Sequence, residues 1–125
     1  MRKSLKLVVV SALACLVTLA AMPGMAHAAS RDCSVNGTWW LPGTCYTDSL
    51  PSNSPGRWVD VHVSAYSGCE LDYVVRDIAN NVVVASGRTN ERDFTIFGLY
   101  SYYRAEISRV GSTCGGSVII ENELP

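Results

Sequence analysis

Residues 57–66 read RWVDVHVSAY, and they predict a β-strand that buries one of its faces. Apolar side chains stand at every second position, which is the period of an extended strand, because successive side chains point to opposite sides. One face carries Val59, Val61, Val63 and Ala65, and the other carries Trp58, Asp60, His62, Ser64 and Tyr66. An alternation this regular favours a sheet with one face in a core and the other in water.

Six further short segments predict strands, since each is apolar or alternating and is bounded by turn-forming residues. They are residues 38–41, 70–78, 82–86, 93–97, 102–109 and 116–121. Residues 82–86 are apolar enough to predict a central strand, and Ala79-Asn80-Asn81 before them predicts a tight hairpin. No stretch of ten residues holds a helical period with caps. The pattern predicts an all-β fold, a two-sheet β-sandwich of the immunoglobulin or fibronectin type III kind with about seven strands.

Residues 95–107, TIFGLYSYYRAEI, resemble the crossing from strand E to strand F in fibronectin-like domains. An apolar strand, a Gly-Leu corner and a tyrosine lead there into the next strand. The resemblance implies that Tyr103 is the corner residue, with its ring in the core and its hydroxyl bonded to the backbone upstream. The segment departs from the usual pattern because its corner lacks proline and carries three tyrosines. A likeness of this kind bears on architecture and not on function.

The first 28 residues predict an export signal. Arg2, Lys3 and Lys6 precede an uncharged apolar run over residues 7–21, and Ala26-His27-Ala28 offers small residues for cleavage. The run is short for a bilayer span, so a membrane anchor is the weaker interpretation. We therefore expect residues 29–125 to form one secreted domain. Its basic residues are seven arginines and no lysine, a bias typical of GC-rich genomes such as those of actinomycetes.

The charge and the cysteines of this domain narrow its environment. Seven arginines against eleven acidic residues leave a net charge of −4, which disfavours nucleic acids and anionic membranes as partners. An even set of cysteines remains after Cys15 leaves with the signal, and an even set in an exported chain predicts two disulfides. Of the three pairings that Cys33, Cys45, Cys69 and Cys114 allow, we favour Cys33 with Cys45 and Cys69 with Cys114. A metal site is disfavoured because no C-x-x-C pair occurs.

Catalytic chemistry finds little support in these residues. His62 is the single histidine of the mature part, and it stands in the middle of a predicted strand. No nucleophile elbow, zinc-binding H-E-x-x-H or phosphate-binding loop occurs. Acid pairs such as Asp72 with Asp77, or Glu91 with Asp93, are typical of solvated strands and turns. We therefore expect a protein that is not an enzyme and needs no cofactor or metal.

Two connections are the predicted binding segments. Residues 42–56 are rich in proline and glycine and are pinned by Cys45, and a stiffened loop loses little entropy when it enters a cleft. Residues 87–93 form a second, strongly charged connection. Exposed aromatic residues add a third signal, since Trp and Tyr are common at protein interfaces and on sugar-binding faces. The candidate partner-binding residues are Tyr46, Asp48, Leu50, Pro51, Trp58, Arg88, Asn90 and Arg92.

The overall organisation is similar to the small adaptor subunit of the umbrella toxin particles of Streptomyces, which are secreted antibacterial assemblies. The shared features are an export signal, one small β module, an all-arginine basic set, a long loop that fits a cleft, and a tail at residues 29–32 free to pair with another chain. The resemblance implies protein partners, with one of the two loops in the cleft of a trypsin-like subunit. The alternatives are a stand-alone secreted inhibitor of a protease or glycosidase, and a carbohydrate-binding module built on exposed aromatic residues.

Overall fold

The computed structural model describes residues 29–123, so the predicted export signal and the last two residues lie outside the described part of the chain. Nine strands form within it, and none of its residues belongs to a helix that could cross a membrane. The strands are β1 (Ser30–Val35), β2 (Thr44–Tyr46), β3 (Leu50–Pro51), β4 (Trp58–Ala65), β5 (Leu71–Asp77), β6 (Val83–Thr89), β7 (Glu91–Phe97), β8 (Tyr102–Arg109) and β9 (Gly116–Glu121).

The strands form two antiparallel sheets that pack face to face. The four-stranded sheet has the order β1-β9-β4-β7, and the five-stranded sheet has the order β2-β8-β5-β6, with β3 also paired to β8. The predicted all-β sandwich is therefore confirmed. Alternate residues of β4, β5, β8 and β9 point between the sheets and form a core that is mainly aliphatic and also contains Tyr73 and Tyr103. Burying each such Val, Leu or Ile contributes about 1.5–3 kcal/mol relative to leaving it exposed.

Both predicted disulfides are confirmed. Cys33 in β1 is bonded to Cys45 in β2, so this bridge joins an edge of the four-stranded sheet to an edge of the five-stranded sheet. Cys69 precedes β5 and Cys114 precedes β9, so the second bridge joins two connections at one end of the sandwich. The two bridges lie toward the same end, where residues 36–43, 66–70 and 110–115 turn between strands.

Two local predictions hold in detail. Tyr103 is buried, and its hydroxyl accepts a hydrogen bond from the backbone N–H of Tyr100 at 3.1 Å, as the fibronectin-like corner implies. The hairpin between β5 and β6 is also confirmed. Asn81 adopts a φ of 63°, a left-handed conformation that asparagine tolerates better than most residues, and its N–H donates to the carbonyl of Asp77 at 2.9 Å.

The predictions for the N-terminal third need correction. Residues 38–41 form a turn and not a strand, while the tail predicted to be free at residues 29–32 lies mostly in β1, which pairs with β9. Residues 42–56 are not a structureless loop, because β2 and β3 pair with β8. Leu50 is fully buried in the core, where it offers no surface to a partner, so its predicted binding role is wrong.

The predictions for residues 82–93 also need correction. β6 is an edge strand and not a central one, and Val82 and Val83 are exposed. Residues 87–93 belong mostly to β6 and β7, with Asn90 alone between the two strands. The sharp crossing is held by the Thr89 hydroxyl, which donates to the carbonyl of Glu91 at 3.0 Å and accepts from its N–H at 3.1 Å. Charged residues are common both in loops and on edge strands, so the polar sequence of residues 87–93 does not distinguish the two.

Candidate functional site

The most prominent exposed apolar group lies in the connection between β1 and β2, at the end of the sandwich that carries the disulfides. Trp39 and Trp40 are 68% and 69% exposed, and Leu41 beside them is 40% exposed. We call Trp39, Trp40 and Leu41 the tryptophan tip. Large apolar side chains are costly to leave in water, and a contiguous group of them on a small protein indicates an interaction surface.

The backbone under the tryptophan tip is held by Arg109, the last residue of β8. The guanidinium group of Arg109 donates to the carbonyls of Asn36 at 3.1 Å, Thr38 at 2.8 Å and Trp39 at 3.3 Å, and also to the carbonyl of Leu41. Arginine is suited to this role because its fork of N–H donors is planar and keeps its charge in any environment. Four carbonyls from one loop therefore converge on a single side chain.

Two glycines allow this arrangement. A β-carbon at Gly43 would lie 2.6 Å from Nε of Arg109, so a larger residue there would displace the arginine. A β-carbon at Gly37 would lie 2.7 Å from the carbonyl oxygen of Thr113 in the neighbouring connection. The Cys33–Cys45 bridge closes the base of the same loop. The tryptophan tip is thus presented on an ordered backbone, and ordering it on binding costs little further entropy.

The two indole rings are not coplanar. Their centroids lie 5.7 Å apart and the ring planes meet at 89°, an edge-to-face arrangement. A sugar chain stacks on flat aromatic faces, and two perpendicular rings do not form one continuous platform. Perpendicular rings that project from a loop can instead enter a concave apolar pocket.

The sequence prediction missed the tryptophan tip as a site. It assigned residues 38–41 to a strand, although an Asn-Gly pair before them and a Pro-Gly pair after them are typical turn signals. These flanking pairs could have identified a loop with two adjacent tryptophans. The contacts of Arg109 had no local signal, since Arg109 is about seventy positions from the carbonyls that it binds.

The residues predicted in the first binding segment do not form a projecting loop. Tyr46 is exposed at the edge of the five-stranded sheet, where the guanidinium of Arg104 lies 4.9 Å from its ring centroid. Asp48 is exposed in the connection between β2 and β3. Pro51 belongs to β3, where it lies opposite Tyr102 of β8. Binding roles for Tyr46, Asp48 and Pro51 stay predictions, and the backbone that carries Tyr46 and Pro51 is the margin of a sheet.

The second predicted segment is divided between different surfaces. Arg88 forms a two-point ion pair with Asp72 on the outer face of the five-stranded sheet, with distances of 2.7 and 3.1 Å. The hydrogen bond from Arg88 is the main cause that lowers the pKa of Asp72. Arg92 covers the margin between the sheets, where it donates to the Tyr73 hydroxyl at 2.5 Å and stacks on Phe94. Roles for Arg88, exposed Asn90 and Arg92 stay predictions.

The outer face of the four-stranded sheet carries Trp58, so the structure does not bring Trp58 together with Tyr46 or Arg88. Trp58 pairs across strands with exposed Phe97 and borders a shallow groove together with Asp60 and Thr95. A binding role for Trp58 also stays a prediction. The eight predicted residues therefore lie on several surfaces and do not make one site.

His62 lies on the same outer face, between two carboxylates. Its Nδ1 is 3.0 Å from Asp93 and its Nε2 is 2.8 Å from Glu121. Partial burial acts to lower the pKa of His62, but the hydrogen bonds and the negative charge of both carboxylates outweigh it and raise the pKa above its usual value. These contacts tie β4 to β7 and β9. Within residues 29–123 no group of three or more His, Cys, Asp or Glu side chains is arranged to hold a metal ion.

Comparison with known proteins supports the architecture. No protein-family model matches the chain, and no curated protein sequence matches it significantly. Among solved structures it is similar to the pre-peptidase C-terminal domain of a collagenase from Bacillus anthracis, with 15% identity, a TM-score of 0.50, and coverage of 74% of this chain and 86% of that one. It also matches the C-terminal CBM6 domain of LamC from Zobellia galactanivorans, with 10% identity, a TM-score of 0.37, and coverage of 78% and 89%. The first likeness shows the β-sandwich fold.

Proposed function

We propose that this chain is a secreted, non-catalytic protein–protein interaction module that docks through the tryptophan tip. One observation carries the proposal: two adjacent, strongly exposed tryptophans stand on a loop whose backbone is held by Arg109 and a disulfide. Tryptophan is among the residues that contribute most binding energy at protein interfaces. A loop ordered before binding keeps more of that energy as affinity.

The electrostatic properties of the tip favour an apolar contact. Trp39, Trp40 and Leu41 carry no charge, and the guanidinium beneath them is occupied by backbone carbonyls. The partner therefore needs a concave apolar pocket and not a complementary charge. The net charge of −4 on the mature part also disfavours an anionic lipid surface as the target of the tip.

The finer proposal is an adaptor that joins components of an extracellular antibacterial toxin complex. Its support is the part of the similarity to the umbrella toxin adaptors which the fold retains, a single small β module with an all-arginine basic set, together with the disulfides, which suit an extracellular protein. The tail at residues 29–32 and the segment at residues 42–56 do not add to it, because both pair with strands of the sandwich. The element that enters a partner's cleft is then the tryptophan tip, because β2 and β3 take up much of the segment at residues 42–56 by pairing with β8.

The test uses a matched set of variants in the disulfide-bonded protein. We would prepare the wild type, a Trp39→Ser/Trp40→Ser double variant, and Phe97→Ser, which removes an exposed aromatic ring from the opposite end of β4's sheet. Each is immobilised and exposed to culture fluid of the producing organism, and captured proteins are identified by mass spectrometry. The captured partner is then purified, and its affinity for each variant is measured.

We expect the wild type and Phe97→Ser to capture the same secreted protein, and the double variant to bind it at least about 30-fold more weakly, as the loss of a hot spot of 2 kcal/mol requires. Circular dichroism should show all three to be folded, because the substituted side chains are exposed. Equal capture by the double variant contradicts the proposal. Retention on an insoluble polysaccharide that needs the tryptophans would instead favour a carbohydrate-binding module, and stoichiometric blocking of a hydrolase by a free monomer would favour an inhibitor.

A further inference from the structure

A second concave site lies at the opposite end of the sandwich, between the connection that follows β3 and the connection that precedes β8. The cavity measures about 390 Å³, which is within the usual range for small-ligand sites. It is lined by three serines, Ser52, Ser54 and Ser101, by two tyrosines, Tyr100 and Tyr102, and by Arg57. Both tyrosines are at least half exposed, so their rings are accessible from solvent. We call this cavity the Arg57 pocket.

The guanidinium group of Arg57 differs from those of the other arginines in residues 29–123. Each of the others donates at least one hydrogen bond to a protein acceptor; these are Arg31, Arg76, Arg88, Arg92, Arg104 and Arg109. Arg57 lies over the ring of Tyr100, 5.0 Å from its centroid, and has no hydrogen-bond or ion-pair partner for its guanidinium in that part of the chain. Stacking fixes the plane of the group and leaves its edge of N–H donors open.

The backbone at Arg57 is unusual. Its φ is 57°, in the left-handed region that favours glycine or asparagine. The conformation is held by hydrogen bonds from the Arg57 N–H to the carbonyl of Asn53 at 2.7 Å and from the Leu99 N–H to the carbonyl of Arg57 at 3.0 Å. Residues kept in such conformations often serve a site, because glycine would meet the backbone requirement at lower cost. The left-handed backbone at this position does not itself require an arginine, so the side chain is the feature to explain.

We propose that the Arg57 pocket binds a carboxylated sugar, such as a uronic acid residue. The planar guanidinium accepts a carboxylate at two points, since its parallel N–H groups match the spacing of the two oxygens. The exposed tyrosine rings offer apolar faces for the C–H side of a sugar ring.

Serine hydroxyls complete the pocket. The hydroxyl of Ser52 donates to the carbonyl of Leu99 at 2.7 Å, and that of Ser101 donates to the carboxylate of Asp77 at 2.9 Å. Each keeps acceptor capacity for the hydroxyl groups of a sugar. The carboxylate of Asp77, which accepts from Ser101, is buried and does not line the pocket, and it also accepts from the N–H of Ala79 at 2.8 Å.

The inference goes beyond the proposed function, because the pocket and the tryptophan tip lie at opposite ends of the sandwich and use different residues. A module with both would hold an acidic sugar residue of a glycan at one end while it holds a protein at the other. The sugar contact depends on the local guanidinium of Arg57, because a net charge of −4 gives no long-range attraction to an anion. Neither binding event requires the other, so an experiment can disprove the sugar site without disproving docking at the tryptophan tip, and the reverse also holds.

The test measures binding of trigalacturonate by calorimetry and by amide chemical shifts. Its fully methyl-esterified form keeps the sugar and removes the charge, and acetate keeps the carboxylate and removes the sugar. The informative variant is Arg57→Gly, because glycine suits the left-handed backbone and the fold is retained. Tyr100→Ala removes one ring, and Arg31→Ala is the matched control because it removes an exposed arginine outside the pocket.

We expect trigalacturonate to shift the backbone amides of residues 52–54, 56–57 and 99–102. Arg57→Gly should weaken binding at least about tenfold, as loss of a charge-assisted two-point contact requires. Tyr100→Ala should weaken it severalfold, and Arg31→Ala should leave it unchanged. Equal binding of the methyl ester or of acetate overturns the proposal, as does an Arg57→Gly protein that binds like the wild type. The affinity of these variants for the protein partner, measured in parallel, shows whether the tryptophan tip still binds it.

Discussion

The two ends of the sandwich present side chains by different physical means. At the end with the tryptophan tip, two disulfides and one guanidinium group order the connections. At the end with the Arg57 pocket, hydrogen bonds from asparagine side chains order the connections. Asn122 is buried, its Oδ1 accepts from the Ala29 N–H at 2.6 Å, and its Nδ2 donates to the Pro51 carbonyl at 2.7 Å. Asn53 in turn donates to the Asn122 carbonyl at 2.8 Å.

The difference teaches how a small domain keeps two ordered surfaces. A disulfide stabilises chiefly by restricting the unfolded chain, whereas a buried amide stabilises through hydrogen bonds that exist only in the folded state. The disulfides order the connections at one end of the sandwich, and local hydrogen bonds order those at the other end. Each end should therefore be separable by mutation.

The largest effect should come from removing the bridge that spans more of the chain. Cys69 and Cys114 are 45 positions apart, so a Cys69→Ala/Cys114→Ala variant should lose about 4 kcal/mol of unfolding free energy. Cys33 and Cys45 are 12 positions apart, and removing them should cost about 3 kcal/mol. Urea unfolding of both double variants measures the difference. A smaller loss for the longer loop would contradict the chain-entropy explanation.

The opposite end should depend most on one amide. Asn122→Ala leaves the Pro51 carbonyl and the Ala29 N–H without their partners, so we expect a loss of about 2–3 kcal/mol of unfolding free energy. Asn90→Ala is the control, because Asn90 is exposed and should change stability by less than about 0.5 kcal/mol. Amide exchange should rise at residues 51–57 in Asn122→Ala and stay unchanged at residues 36–43. Equal acceleration at both ends would show that the ends are not independent.

Arg109→Met should loosen the tryptophan tip without removing a tryptophan. Methionine keeps much of the apolar stem but donates nothing to the four carbonyls, so we expect about 1–2 kcal/mol lower stability. The same variant should bind the captured partner more weakly than the wild type, since the loop must then be ordered on binding. Hydrogen exchange at residues 36–43 together with the partner affinity checks this. Unchanged exchange there would show that the disulfide alone orders the loop.

The smallest expected effect is a pH dependence at His62, in the sheet between the two ends. The folded-state pKa of His62 is raised, so its stabilising contribution is complete below the unfolded-state pKa and is lost as pH rises through the folded-state value. Because the side chain is 36% exposed, we expect less than about 1 kcal/mol. Urea unfolding of the wild type and of His62→Gln, measured from pH 5 to 9, should show that the extra unfolding free energy of the wild type decreases as the pH rises. An increase of this difference with pH would contradict the predicted direction.

The sequence predicted the features that depend on local pattern. The alternation in residues 57–66 placed Val59, Val61 and Val63 correctly in the core, and the corner tyrosine and both disulfides were also confirmed. Sheet edges were not predictable in this way. Residues 82–86 are apolar, yet β6 has a neighbour on one side only, and no local feature of the sequence reports the order of strands in a sheet.

The candidate sites depended on contacts between distant residues. Residues 38–41 resemble a strand in composition although turn signals flank them, and the guanidinium that holds this turn belongs to Arg109, about seventy positions away. Leu50 lies in a segment that its prolines and glycines mark as a loop, but pairing of β3 with β8 places Leu50 in the core. Arg57 carried no signal, because its importance comes from a left-handed backbone and a neighbouring tyrosine that only the folded chain provides.

The central claim is that the tryptophan tip is where the partner docks. Hydrogen–deuterium exchange of the wild-type protein, free and saturated with its captured partner, tests this most directly. We predict new protection concentrated in residues 36–43, with the strands unchanged. Protection confined to residues 44–57 or to the β6–β7 crossing, with residues 36–43 exchanging as in the free protein, would contradict the claim.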